Sequence, residues 1–134
     1  MKLNHTKRLF LFLSISIFTL IFSEKTMAQQ KTQIVRLAKI QVDPAQLDKY
    51  NAALKLQMET AVRLEHGVLT YYAVADKTNP AHITILEIYA DTAAYKLHIE
   101  TPHFKKYKEA VQHIVTALEL VDVTLIGAAT KPAM

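Results

Sequence analysis

Glu87-Ile-Tyr-Ala-Asp-Thr-Ala-Ala-Tyr-Lys-Leu-His-Ile-Glu-Thr-Pro-His-Phe104 decides how this chain folds, because one strand ends and two helices begin inside it. Asp91 follows an apolar run and offers its carboxylate to the free N–H groups of the helix it opens. Thr101-Pro102 reads as a second N-cap, with proline at the first helical position, where no N–H is needed. His98 lies between the two caps, on a short helix that starts where a strand stops. A junction of this kind delivers polar side chains to the rim of a sheet.

Working outward, Ala81 to Ala90 is the strand that enters this junction and Val68 to Asp76 is its partner. The turn Lys77-Thr78-Asn79-Pro80 joins them as an antiparallel hairpin. Further upstream, Ile34 to Val42 is rich in β-formers, and Asp43-Pro44 stops it and caps a helix. Leu47, Tyr50, Leu54, Met58 and Ala61 then recur at spacings of three and four, the stripe of a helix of roughly 20 residues. Gly67, one of two glycines in the chain, is expected to permit the turn out of that helix. Downstream, Phe104, Tyr107, Val111, Ile114 and Leu118 make another helical stripe, and Val121 to Gly127 reads as a last strand. The order is βαββαβ, a ferredoxin-like α+β arrangement with an antiparallel sheet.

Right-handed crossovers would place the helices on one face of that sheet. The strands are nonetheless apolar on both faces. Leu86 and Ile88 point one way and Ile83 and Ile85 the other, while Tyr72 and Val74 oppose Tyr71 and Ala73. Too little chain remains to cover the second face, so a second copy is expected to do so, sheet against sheet, in a homodimer.

Residues 1–28 read as a secretory signal peptide. Lys2, Lys7 and Arg8 precede an apolar run from Leu9 to Phe22, and Thr26-Met27-Ala28 supplies small residues for cleavage. The run falls short of the roughly 20 residues of a membrane span. No stable membrane anchor is therefore expected after cleavage, and the mature protein is expected in the periplasm or outside the cell. Residues 29–33 are a polar, flexible start, 34–127 the domain, and 128–134 a loose tail. With no cysteine, the exported domain must be held by its core alone. Removing the leader takes away Lys2, Lys7, Arg8, Lys25 and Glu24, so the formal charge falls from +4 to +1. That leaves no basic footprint for nucleic acid, and the Lys105-Lys106-Lys108 run reads as a solvated helix face.

His98 is the candidate catalytic base, since a reference pKa of about 6.5 suits proton transfer near neutral pH. Glu87, on an apolar strand beside Ile83, Ile85 and Tyr89, must be paired or hydrogen-bonded if buried. It either assists His98 or makes a structural bond across the helix–sheet seam. Tyr72 and Tyr89 are candidate walls and phenolic donors for a planar substrate, and His103 is a weaker candidate at the start of its helix. His66, His82 and His113 read as surface residues. Metal binding is not expected, because His98 and His103 are five apart with Pro102 between them and no thiol exists. The mature chain has no serine, which excludes a Ser–His–Asp hydrolase, and it has no glycine-rich phosphate loop.

Four pieces of this sequence resemble the antibiotic biosynthesis monooxygenase family, and within it the small quinol monooxygenase-like members. They are Val42-Asp43-Pro44, Glu65-His-Gly-Val-Leu-Thr-Tyr71, Glu87-Ile-Tyr-Ala-Asp91 and His98-Ile-Glu-Thr-Pro-His-Phe104. The resemblance covers Ile34 to about Gly127. It implies a dimeric α+β barrel and cofactor-independent oxygenation of a small phenolic or hydroquinone substrate by dioxygen. A related branch degrades haem with an Asn, a Trp and a His; here His98 takes the Trp place, the His place falls near Lys108, and the chain has no Trp. That activity is not expected. The alternative to an enzyme is a non-catalytic module of the same fold that binds a small aromatic or apolar ligand.

Overall fold

The computed structural model describes residues 32–131. The residues assigned to a signal peptide, most of those expected to form a polar start and the last three of the chain lie outside them. Four strands, β1 (Ile34–Val42), β2 (Val68–Ala75), β3 (His82–Tyr89) and β4 (Val115–Val123), form one sheet in the order β2-β3-β1-β4. Every neighbouring pair is antiparallel. Helices α1 (Leu47–Leu64), α2 (Thr92–Glu100) and α3 (Pro102–Val111) complete the ferredoxin-like α+β fold.

The caps are the ones expected. Asp91 Oδ1 accepts from Ala94 N at 2.8 Å, and Thr101 Oγ1 accepts from Phe104 N at 3.3 Å. Asp43 Oδ1 accepts from Ala45 N at 2.9 Å, but it caps a 3-10 turn over Pro44–Gln46, and α1 starts only at Leu47. The buried stripe of α1 is Tyr50, Leu54, Gln57 and Ala61. Polar Gln57 thus holds a core position, while Leu47 and Met58 pack at its edge. The core lies between these residues, Val111 and Ile114 on one side and Ala38, Ile40, Val42, Ile83 and Ile85 on the other. Each such aliphatic contributes roughly 1.5–3 kcal/mol when fully buried.

Two expectations need correcting. The last helix stops at Val111, and β4 starts at Val115 rather than Val121 and ends at Val123 rather than Gly127. Ala117-Leu118-Glu119-Leu120 favours a helix by propensity and prolongs the stripe of α3. Pairing with β1, including Leu118 opposite Ile40 and Leu120 opposite Ala38, overrides that preference.

Gly67 is not there for a left-handed turn, since no glycine among the described residues has positive φ. A Cβ at Gly67 would instead overlap the Cβ of Ala94 on α2. The missing side chain lets the β2 entry pass against α2, and Ala90 N donates to the Gly67 carbonyl at 2.9 Å to hold it there.

Register sorts the remaining side chains. Arg36, Glu87 and Tyr71 lie abreast across β1, β3 and β2 on the face that carries the core, and Asp122 on β4 continues the row. Tyr72 and Val74 point to the opposite face and are 61% and 64% exposed.

Candidate active site

A cavity of about 100 Å³ opens between the sheet and the helices, next to the polar row. Ile40, Ile85, Leu54, Phe104 and Leu120 give it an apolar wall. Glu87, Arg36, Lys108, Gln57 and Tyr89 bring the polar groups. Burial pushes the Glu87 carboxyl above the usual carboxylate range, against the pull of a hydrogen bond from Tyr89 and of the nearby Arg36 and Lys108 cations. Tyr89 Oη donates to Glu87 Oε2 at 3.1 Å.

Arg36 is placed by two contacts. Its Nε donates to Asp122 Oδ1 at 2.7 Å, and its guanidinium lies 4.4 Å from the centroid of the Tyr95 ring. Asp122 is 73% exposed, so this ion pair adds little to stability; it orients the guanidinium at the cavity. Gln57 is 5% exposed, and neither its Oε1 nor its Nε2 has a hydrogen-bond partner. A buried amide left unpaired is costly, and Gln57 borders the cavity.

His98 is fully buried, and both ring nitrogens are engaged. Nδ1 lies 2.9 Å from Glu65 Oε1, and Nε2 lies 2.8 Å from Tyr71 Oη. Burial pushes its pKa down, against the pull of Glu65, so the neutral ring is favoured. An ionised carboxylate only accepts, so Nδ1–H donates to Glu65 and Nε2 is left with a lone pair. Tyr71 Oη in turn lies 2.7 Å from Tyr89 Oη. On the outer side, His103 Nε2 lies 2.7 Å from Glu65 Oε1. Burial pushes the Tyr71 and Tyr89 phenols far up, so both keep their protons.

Six side chains therefore form one line from the cavity to the surface: Glu87, Tyr89, Tyr71, His98, Glu65 and His103. Glu65 with His98 and His103 is also a group whose donor atoms fall within 4.8 Å of one another, compact enough for a cation. Spacing arguments along the sequence do not see it, because Glu65 comes from the end of α1. Here the three close on each other through direct hydrogen bonds at 2.7 and 2.9 Å, which occupy the same lone pairs.

The family model described as antibiotic biosynthesis monooxygenase matches residues 33–110. A Bacteroides thetaiotaomicron protein described as "Putative antibiotic biosynthesis monooxygenase" shares 55% identity and a TM-score of 0.72, over 76% of this chain and 97% of its own. The chain belongs to the antibiotic biosynthesis monooxygenase family. A "putative monooxygenase" from Lactobacillus acidophilus is 29% identical with a TM-score of 0.69, over 71% of this chain but only 45% of its own. A protein of Caulobacter crescentus, 24% identical with a TM-score of 0.64 over 72% of this chain and 93% of its own, shares the fold. No curated protein matches.

On this antibiotic biosynthesis monooxygenase domain the candidates fall as follows. Glu87, Tyr89 and His98 line the cavity, and His103 stands outside it on Glu65. Tyr72 does not line it. Side-chain alternation puts Tyr72 on the other face of β2, and its neighbour Tyr71 takes the place in the cavity wall. All three lysines of the run are exposed as expected, and Lys108 also borders the cavity. Sequence reasoning missed Tyr71, Arg36, Gln57 and Glu65. Glu65 carried a signal: an acid at a helix C-terminus opposes the helix dipole, and something else must hold it there.

Proposed function

We propose that this chain is an exported, homodimeric oxygenase that takes the proton of a small phenol or hydroquinone and lets the resulting anion react with dioxygen. The observation that carries this reading is Glu87: a half-buried carboxyl on a cavity wall, its pKa raised by the loss of water around it, with two cations close by. Such a carboxylate is a stronger base than an exposed one, and Arg36 and Lys108 suit the phenolate it produces. Because both nitrogens of His98 are already occupied, first contact with substrate falls to Glu87, and His98 stands behind it.

For a phenol with a free position, one oxygen atom of dioxygen enters the ring and the other leaves as water. The organic substrate then supplies all four electrons and becomes a quinone. For a hydroquinone, two electrons and two protons pass to dioxygen, giving the quinone and hydrogen peroxide. Glu87 takes the hydroxyl proton in either case, and the apolar wall excludes water. No step calls on a flavin or a metal. Oxygen consumption by the purified mature protein, against a panel of hydroquinones and anthrones, tests this. Uptake with at least one of them is expected. None across the panel would favour the alternative of a non-catalytic module that binds a small aromatic ligand.

Gln57 supports a substrate with a second polar group, able to give or take a hydrogen bond at the wall opposite the sheet. Gln57→Leu should then separate two effects. KM should rise about tenfold, the worth of one hydrogen bond. The melting temperature of the empty protein should hold or increase, because an unpaired buried amide is gone. A KM unchanged in Gln57→Leu would contradict this role.

What supports the dimer is the outer face of the sheet, where Tyr72 and Val74 stand exposed beside Leu37, Leu86 and Val121. A monomer with that face in water is an aggregation hazard. Light scattering should give twice the single-chain mass at micromolar concentration, and Tyr72→Lys with Val74→Lys should halve it. What supports export is the pattern of residues 1–28, and mass spectrometry of the mature protein should find it starting at Gln29.

A further inference from the structure

The line from Glu87 to Glu65 contains four contacts: Glu87–Tyr89, Tyr89–Tyr71, Tyr71–His98 and His98–Glu65. With both carboxyls ionised and His98 neutral, its members hold only three hydrogens to fill them, one on each phenol and one on Nδ1. If Tyr89 donates to Glu87 and Tyr71 to Tyr89, then His98 Nε2 faces the Tyr71 oxygen at 2.8 Å with no hydrogen between two lone pairs. Any other distribution moves the gap without closing it. The line therefore has room for one proton more, the one that Glu87 takes up.

That proton has two places. It can sit on Glu87, which then donates to Tyr89, Tyr89 to Tyr71, and Tyr71 to His98 Nε2. Alternatively it can sit on His98 Nε2, which then donates to Tyr71, Tyr71 to Tyr89, and Tyr89 to an ionised Glu87. Both arrangements fill every contact, and they interconvert when each hydroxyl gives up the proton it holds and takes one from its neighbour. No heavy atom has to travel.

We propose that Tyr89, Tyr71 and His98 are a proton relay that carries the proton taken up at Glu87 out of the cavity to the Glu65–His103 pair. The charges around the line act on both ends. Arg36 from β1 and Lys108 from α3 favour an ionised Glu87, and so favour handing the proton on. Glu65, at the end of α1, favours an imidazolium at His98, while burial and His103 on α3 oppose it. His103 is 21% exposed and hydrogen-bonded to Glu65, which gives the relay an outlet to solvent. A base on a largely apolar wall is served by such an outlet while substrate fills the cavity, because a proton left on Glu87 would disable it for the next substrate.

The purpose of the relay rests on the reading of Glu87 as the group that meets the substrate, but the relay titrates without substrate. The test is an NMR titration of the whole mature protein, following the Glu87 carboxyl carbon and the His98 ring nitrogens. In the wild type both should report one shared midpoint, because a single proton is divided between them. Tyr71→Phe removes two contacts, and the two midpoints should then separate by about one pH unit or more. Tyr89→Phe cuts the line at its other hydroxyl and gives the same result if Tyr71→Phe does not fold. Two separate midpoints in the wild type, or a shared midpoint that survives both substitutions, would overturn the relay. Failure to consume oxygen would remove the substrate reading and leave this titration standing.

Discussion

Glu87→Gln should lower turnover by about a hundred- to ten-thousandfold, the usual worth of a positioned general base. The amide keeps the shape and can still accept from Tyr89, so the loss should fall on kcat more than on KM. The same substitution should raise stability, and only in one pH range. Burial raises the folded-state pKa of Glu87 above its unfolded value. The wild type therefore has its full stability from this group below the unfolded pKa and loses it as pH rises through the folded pKa. Glutamine has no such term. The melting temperature of Glu87→Gln should exceed that of the wild type at pH 8, and the gap should shrink as pH falls into the carboxylate range. Loss of activity with gain of stability is the mark of a group kept for chemistry. Equal turnover, or a stability difference that does not depend on pH, would speak against the base assignment.

Gly67→Ala should be among the most damaging single-methyl changes in the domain. The new Cβ would meet the Cβ of Ala94, and a methyl group cannot swing aside, so α2 must move as a body. Overpacking of this kind costs about 1–3 kcal/mol. In a domain of this size each kcal/mol lowers the melting temperature by about 4–8 °C. Activity should suffer as well, because α2 carries His98 and its Nδ1 bond to Glu65. Ala94→Gly should recover much of the loss in combination, although alone it costs up to about 1 kcal/mol of helix propensity. Urea unfolding of the two single variants and the double variant gives the coupling directly. Additive effects would show that the close approach of β2 and α2 does not matter.

The elements that the sequence made legible are those with a local chemical signature. Asp91 and Thr101 announce helix starts because capping is a contact between near neighbours. The β2–β3 hairpin announces itself by alternation and by the Lys77–Pro80 turn. β4 was misread because its residues are ambiguous: Leu118 and Leu120 suit either a helix or a strand, and only β1 alongside decides. Gly67 does sit in the turn out of α1, but the reason it is glycine was not legible, since the atom that forbids a side chain belongs to Ala94, on a later helix.

The site was legible in part. Glu87 and His98 stand out as polar groups in apolar surroundings. Tyr71 and Tyr72 cannot be told apart until the face that carries the core is known. Glu65 lies 33 residues from His98 and 38 from His103, and nothing along the chain pairs them. Gln57 was passed over because a hydrophobic stripe is traced through apolar residues, and this stripe includes an amide.

The most direct measurement is the absorption spectrum of a nitrophenol bound to the mature protein under argon, at a pH just below its solution midpoint. The neutral and anionic forms absorb differently, so the spectrum reports whether the site has taken the proton. Bound to the wild type it should be the phenolate, and bound to Glu87→Gln the neutral phenol. A neutral phenol in the wild-type cavity would contradict the claim that Glu87 is the base on which the chemistry depends.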